Sequence, residues 1–176
     1  FKVNTHRLLA DLWRRAGLEV PDNFPLEQYH TIATDQATHL RAVDQTKELT
    51  IDQFPVPIQL LEERISGLIG VNLITQNPYD DQRIFHFRVI RPNRGDNNPL
   101  HRDVWQDDLE DCINLYIPVA GSNENSSLIV SPGSHLWPES KVERTREGAI
   151  IAGTKFNVKA VTDIKDPYHF IRANPS

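Results

Sequence analysis

The order of hydrophobic periodicities predicts a mainly β protein with α structure, a β-barrel core braced on one side by N-terminal helices. Up to Gly70, apolar residues recur at three- and four-residue steps, the spacing of one helix face. From Val71 they alternate in twos, the spacing of a strand face. Helices gathered ahead of strands point to one layer of helices packed against the strand-rich part. A length of 176 residues suits one domain. Residues 1–70 would be its helical support and 71–176 its core, expected to lack its C-terminal strands.

The first helix is expected from Thr5 to Ala16. Thr5 is a capping residue type, Leu8, Leu9, Leu12, Trp13 and Ala16 form one apolar face, and Gly17 ends it. Asn23 and Pro25 open a second, with Leu26, Tyr29, Ile32 or Ala33, Ala37, Leu40 and Val43 facing inward to about Glu48, and Asp35, Arg41 and Asp44 at polar positions. His30 and His39 lie in it and read as surface or partly buried helix residues, since neither has a second metal ligand at helical spacing. A third helix runs from Pro57 to Leu68, with Ile58, Leu61, Ile65 and Leu68 inward and Gly70 just past its end.

Strands are expected at Val71–Thr75 and Arg83–Arg91, joined by turn residues Asn77 to Asp81. In the second, Phe85, Phe87 and Val89 share one face and Ile84, His86, Arg88 and Ile90 the other. Such a mixed face suits a strand lining a polar pocket, where Arg88 could contact an anionic co-substrate or substrate; a surface salt bridge is the favoured alternative. A polar loop, Pro92 to Pro99, leads into Leu100. Further strands are expected at Cys112–Val119, Leu128–Val130, Asn157–Val161 and Tyr168–Arg172. Gly148 to Gly153 is apolar, and Glu139 to Glu147 is charged and expected to be exposed.

Chemistry is legible in one stretch, residues 100–138, whose centre is His101-Arg102-Asp103. On a strand, residues i and i+2 point the same way, so an imidazole and a carboxylate would reach one metal ion from one rigid element. They would be two ligands of a 2-His-1-carboxylate facial triad, which leaves positions of an octahedral Fe(II) open for a chelating co-substrate and O2. About half a His-x-Asp is expected by chance in a chain with this His and Asp content, so the surrounding order matters more than the tripeptide. An acidic loop from Gln106 to Asp111 follows, then a strand, the turn Gly121-Ser122-Asn123-Glu124-Asn125, the apolar Leu128-Ile129-Val130, and Ser131-Pro132-Gly133-Ser134-His135.

This order resembles the phytanoyl-CoA dioxygenase-like family of Fe(II)/2-oxoglutarate-dependent oxygenases, over residues 84–138. The resemblance implies a double-stranded β-helix (jelly-roll) core with iron at the barrel mouth. It implies His101 and Asp103 as metal ligands and catalytic residues, with Fe(II) as cofactor, 2-oxoglutarate as co-substrate and O2 as oxidant. Such enzymes couple decarboxylation of 2-oxoglutarate to succinate and CO2 with hydroxylation of an unactivated C–H bond, and a carboxylate at Asp103 favours hydroxylation over halogenation. Ser134 and His135 match the family's Gly-Ser-His turn. The strand bearing Asn114 and Tyr116 borders the 2-oxoglutarate site in that family, so Asn114 is a co-substrate contact or an ordinary solvent-facing residue. Trp105 walls a substrate pocket or simply packs, and His135 is a candidate substrate contact. The family's distal His and the Arg that pairs with 2-oxoglutarate come later. His169 is the first candidate for the third ligand, with Arg172 beside it, but their spacing differs from the family's; His135 is the second. The distal pair is otherwise expected beyond Ser176 or among unrecorded residues. A chain that starts at Phe1 and contains no Met is itself expected to be part of a longer one.

Composition narrows the partners. With 39% apolar and 24% charged residues the chain is ordinary for a soluble globular protein, and no run reaches membrane-span length. A net charge of −5 without a basic stripe argues against nucleic acid. The sole cysteine, Cys112, sits in an apolar strand pattern, reads as a buried small hydrophobe and fits a reducing cytoplasm. A small-molecule substrate is expected, of a class the sequence leaves open, as it does oligomeric state. Two rival readings use the same residues: a non-catalytic jelly-roll module for ligand binding or assembly, with a structural His-x-Asp, and a cupin-type metal protein that does not use 2-oxoglutarate.

Overall fold

The computed structural model describes residues 1–47, 49–76, 83–106, 109, 112–151, 154–165 and 167–173, and the chain divides into two compact units, Phe1–Pro92 and Asn93–Ser176. In the first unit, helix α1 spans Lys2–Arg15. It starts earlier than the sequence suggests, because Thr5 is not its cap: Thr5 is fully buried and its hydroxyl donates back to the Phe1 carbonyl at 3.1 Å. Leu9, Leu12 and Trp13 are buried as the periodicity requires, and Gly17 takes the left-handed conformation that turns the chain out of the helix.

The expected long second helix is broken. A single 3-10 turn, Leu26–Gln28, runs into α2, Tyr29–Ile32, and a separate helix α3 covers Gln36–Thr46. Asp35 causes the restart. Its backbone is extended and its carboxylate accepts the Thr38 N–H at 2.9 Å, the geometry of an N-cap rather than of a mid-helix polar residue. Arg91, which the sequence places in a strand, is buried and donates to the Ala33 carbonyl at 3.5 Å, an acceptor that a continuous helix would have used itself, and also to the Asp35 carbonyl at 3.1 Å and to the Gln36 side chain. The buried stripe of α3 consists of His39, Ala42 and Thr46, and Leu40 points outward. His39 is a core histidine: Tyr29 Oη lies 3.2 Å from its Nδ1, and the Tyr29 ring packs against Trp13 at 4.6 Å between centroids.

Helix α4, Ile58–Ile69, begins after Pro57 and ends at left-handed Gly70, as expected. Leu68, read as inward, is exposed. The segment Val71–Thr75 forms no strand, because α4 takes its donors: Leu73 N–H bonds Ser66 Oγ at 2.9 Å and Thr75 N–H bonds Glu62 Oε1 at 2.6 Å. The turn at Asn77 to Asp81 lies outside the described residues. The alternation from Arg83 holds, with Phe85, Phe87 and Val89 half-buried and Ile84, His86, Arg88 and Ile90 exposed. Its ladder is short: β1, Leu49–Thr50, pairs antiparallel with β2, Ile84–Phe85. The Phe54, Phe85 and Phe87 rings stack edge-on behind it at 5.0 and 5.6 Å.

The second unit contains three antiparallel pairs among its described residues. β3, Leu128–Val130, pairs with β8, Ile171–Ala173; β4, Val142–Arg144, with β7, Val161–Ile164; and β5, Ala149–Ile151, with β6, Thr154–Phe156. Among the described residues these pairs do not close into a barrel. Leu128–Val130 is a strand as expected, while the expected strand at Asn157–Val161 is replaced by its two neighbours β6 and β7. The charged run from Glu139 contains β4, and Val142 within it is buried. Cys112 to Val119 has no strand laddered to it among the described residues, and residues 112–117 are exposed. Cys112 is therefore a surface thiol and not a core residue. No helix among the described residues is long and apolar enough to cross a membrane.

Candidate metal centre

Leu100 is anchored by its carbonyl, which accepts the Val161 N–H of β7 at 2.8 Å. The chain stays extended through Arg102, with φ −115° and ψ 131°, and then coils into a 3-10 turn at Asp103–Trp105. The His-x-Asp strand is thus one step long, and Trp105 does not continue it. Extension at Arg102 still places the side chains of His101 and Asp103 together, with Nε2 of His101 3.1 Å from Oδ1 of Asp103. Nδ1 of His101 lies 2.6 Å from the Pro99 carbonyl oxygen, which can only accept, so Nδ1 carries the proton. Oδ2 of Asp103 accepts from the Asn114 side-chain amide.

These contacts are those of a hydrogen-bonded His–Asp pair, and the same two atoms could also serve a cation. With Nδ1 protonated, Nε2 either holds a second proton toward Asp103 or presents its lone pair to a cation, and an outer carbonyl on Nδ1 is the usual way a ligating imidazole is oriented. Two cis ligands of an octahedral ion with bonds of about 2.1 Å stand roughly 3 Å apart, the separation found here. The His101 side chain is 22% exposed and that of Asp103 41%, so an ion could reach both from solvent.

Arg102 points the other way and ties this turn to the Pro-Gly-Ser-His segment. Its guanidinium pairs with Glu139 at 2.7 Å and donates to the His135 carbonyl at 3.3 Å. Glu139 is a hub: Trp105 Nε1 lies 3.1 and 3.0 Å from its two oxygens, and Arg144 approaches it at 3.6 Å while covering the Trp105 ring. Trp105 is buried in this cluster. Gly133 is left-handed and starts the 3-10 turn Ser134–Leu136. Glu139 and Arg144 escaped the sequence reading because a charge run normally means solvated surface; the one available signal was the spacing of Val142 as an apolar residue between them.

The structure thus brings together His101, Asp103 and Asn114 and leaves the other candidates elsewhere. The side chain of His135 is exposed, and only its carbonyl reaches Arg102. His169 is exposed on the approach to β8, its carbonyl accepting from Ser131 Oγ at 2.9 Å. Arg172 donates to the Ser127 carbonyl at 2.9 Å. Arg88 is an exposed residue of the Phe1–Pro92 unit; partial shielding from water of the His86 ring, in a residue that keeps a solvent-exposed side, and then the Arg88 charge, hold the His86 imidazole below its ordinary pKa. Among the described residues no third His, Cys, Asp or Glu completes a metal-binding group with the pair. Of the acidic loop, Asp107, Asp108, Glu110 and Asp111 lie outside the described residues. No protein-family model, curated protein or solved structure matches this chain.

Proposed function

We propose that the chain is an Fe(II)- and 2-oxoglutarate-dependent oxygenase that hydroxylates a C–H bond of a small molecule. The observation that carries this reading is the pairing of His101 Nε2 and Asp103 Oδ1 at the separation of cis metal ligands, with Nδ1 fixed by Pro99. In this reading His101 and Asp103 hold the metal, and Arg102 locks their turn against the segment carrying His135. Bound Fe(II), with 2-oxoglutarate and O2, would supply the oxidising chemistry, giving succinate, CO2 and the hydroxylated product. The protein's own task is to fix the two ligands and to place the target carbon beside them. The reading brings with it a double-stranded β-helix core, a cytoplasmic setting and no nucleic-acid partner.

A second reading is favoured by one observation, that the described residues supply two ligands and not three. It makes His101, Asp103 and Asn114 a structural hydrogen-bond network in a non-catalytic module. Anaerobic titration with Fe(II) and then 2-oxoglutarate separates the two. The oxygenase reading expects the visible charge-transfer band of the chelated complex, and its loss in His101→Ala. Iron binding without the band would point to a cupin-type site, and absence of iron binding to the structural network.

A further inference from the structure

The two oxygens of Asp103 have different surroundings. Oδ1 faces Nε2 of His101, while Oδ2 accepts from Nδ2 of Asn114, eleven residues further along the chain. The amide orientation follows from chemistry: a carboxylate only accepts, so the amide must turn its N–H toward it and not its oxygen. We propose that Asn114 is a positioning residue for the metal ligand Asp103. By occupying Oδ2, it turns the carboxylate so that Oδ1 alone faces the position shared with His101, which makes Asp103 a one-oxygen ligand. This inference rests on the oxygenase reading and departs from the role the sequence suggests for Asn114, a direct contact to 2-oxoglutarate.

The physical need is plain. The Asp103 side chain is 41% exposed, on a turn rather than in a strand ladder. An untethered carboxylate there would lose rotamer freedom each time it bound a metal, and a prior hydrogen bond removes part of that cost. His101 is oriented in the same way by the Pro99 carbonyl. His101 thus has an outer partner from the backbone and Asp103 one from a side chain, and the side-chain partner can be removed by mutation. Asn114 is itself exposed, so its replacement removes the tether without opening a cavity.

The test is a titration with Co(II) alone, read by its visible d–d absorption, on the wild-type chain and on Asn114→Ala and Asn114→Leu, followed by 2-oxoglutarate. Loss of an outer-shell partner typically costs 10- to 100-fold in metal affinity. Both variants are therefore expected to bind Co(II) about 10- to 100-fold more weakly before any co-substrate is added, with melting temperatures unchanged. Co(II) affinity within about twofold of wild type, with weakened 2-oxoglutarate binding, would overturn the inference and leave the oxygenase reading standing; that twofold margin is small against the expected loss. Failure of the wild-type chain to bind Co(II) would remove both. If either variant melts early, Asn114→Gln, which keeps the amide donor, decides: recovery of most of the affinity supports positioning, and a loss equal to that of the Ala variant overturns it.

Discussion

Replacing Glu139 by Ala removes the acceptor on which three side chains converge. Arg102 loses a 2.7 Å ion pair, Arg144 a longer one, and the buried indole of Trp105 is left with an unpaired N–H. Glu139 is 55% exposed, so the ion pairs are screened and together contribute at most about 1 kcal/mol. The stranded indole donor matters more, at about 1–3 kcal/mol for an unsatisfied buried group. The expected loss is about 2 kcal/mol, and Glu139→Gln, which keeps an acceptor for Trp105 without the charge, should lose less than half of it. Urea denaturation followed by tryptophan fluorescence measures both. The Trp105→Phe background provides the control, because without the indole N–H the cost of Glu139→Ala should fall to that of the ion pairs. An Ala variant as stable as wild type, or one equally damaging in the Phe background, would refute the view that this carboxylate serves chiefly to satisfy a buried donor.

Two further outcomes follow from local geometry. The Thr38 N–H lowers the pKa of Asp35, and the Thr75 N–H, followed in effect by Arg83, lowers that of Glu62. Because both values are depressed in the fold, their stabilisation is complete above the unfolded values near pH 4 and is lost as pH falls through the lowered ones. Asp35→Asn keeps a capping acceptor and Glu62→Gln a hydrogen-bond acceptor, so the double variant should lose less stability between pH 5 and pH 3 than wild type, and equal losses in urea melts would contradict this account. A Cβ on Gly148 would collide with the Phe156 carbonyl oxygen across the β5–β6 pair. Gly148→Ala should therefore cost about 1–3 kcal/mol in thermal melts, and an unaltered melting temperature would mean the strands do not approach so closely.

The elements that could be read in advance are those whose residues answer to their own neighbours. Helix α4 stops at Gly70 because only a residue without Cβ turns left-handed there at little cost, and the Arg83 to Ile90 alternation survives because each side chain's face is set by the pleat. The pairing of His101 with Asp103 was legible for the same reason, although the strand expected to carry it shrank to one extended residue before a 3-10 turn.

Sequence by itself determined the helical first part, the apolar stripe of α1, the strand at Leu128–Val130 and the closeness of His101 to Asp103, all of which follow from spacing along a few residues. Tertiary structure alone decided which polar groups meet. Asp35 is a cap and not a helix residue, with Arg91 reaching back from 56 positions away to its carbonyl. Glu139 is a hub because Trp105 and Arg102 lie against it, and Asn114 holds Asp103 because a segment eleven residues on folds past it. Periodicity records which side of an element is apolar. A hydrogen-bonding group instead takes whichever partner the folded chain brings within about 3 Å, and that partner leaves no trace in the local pattern.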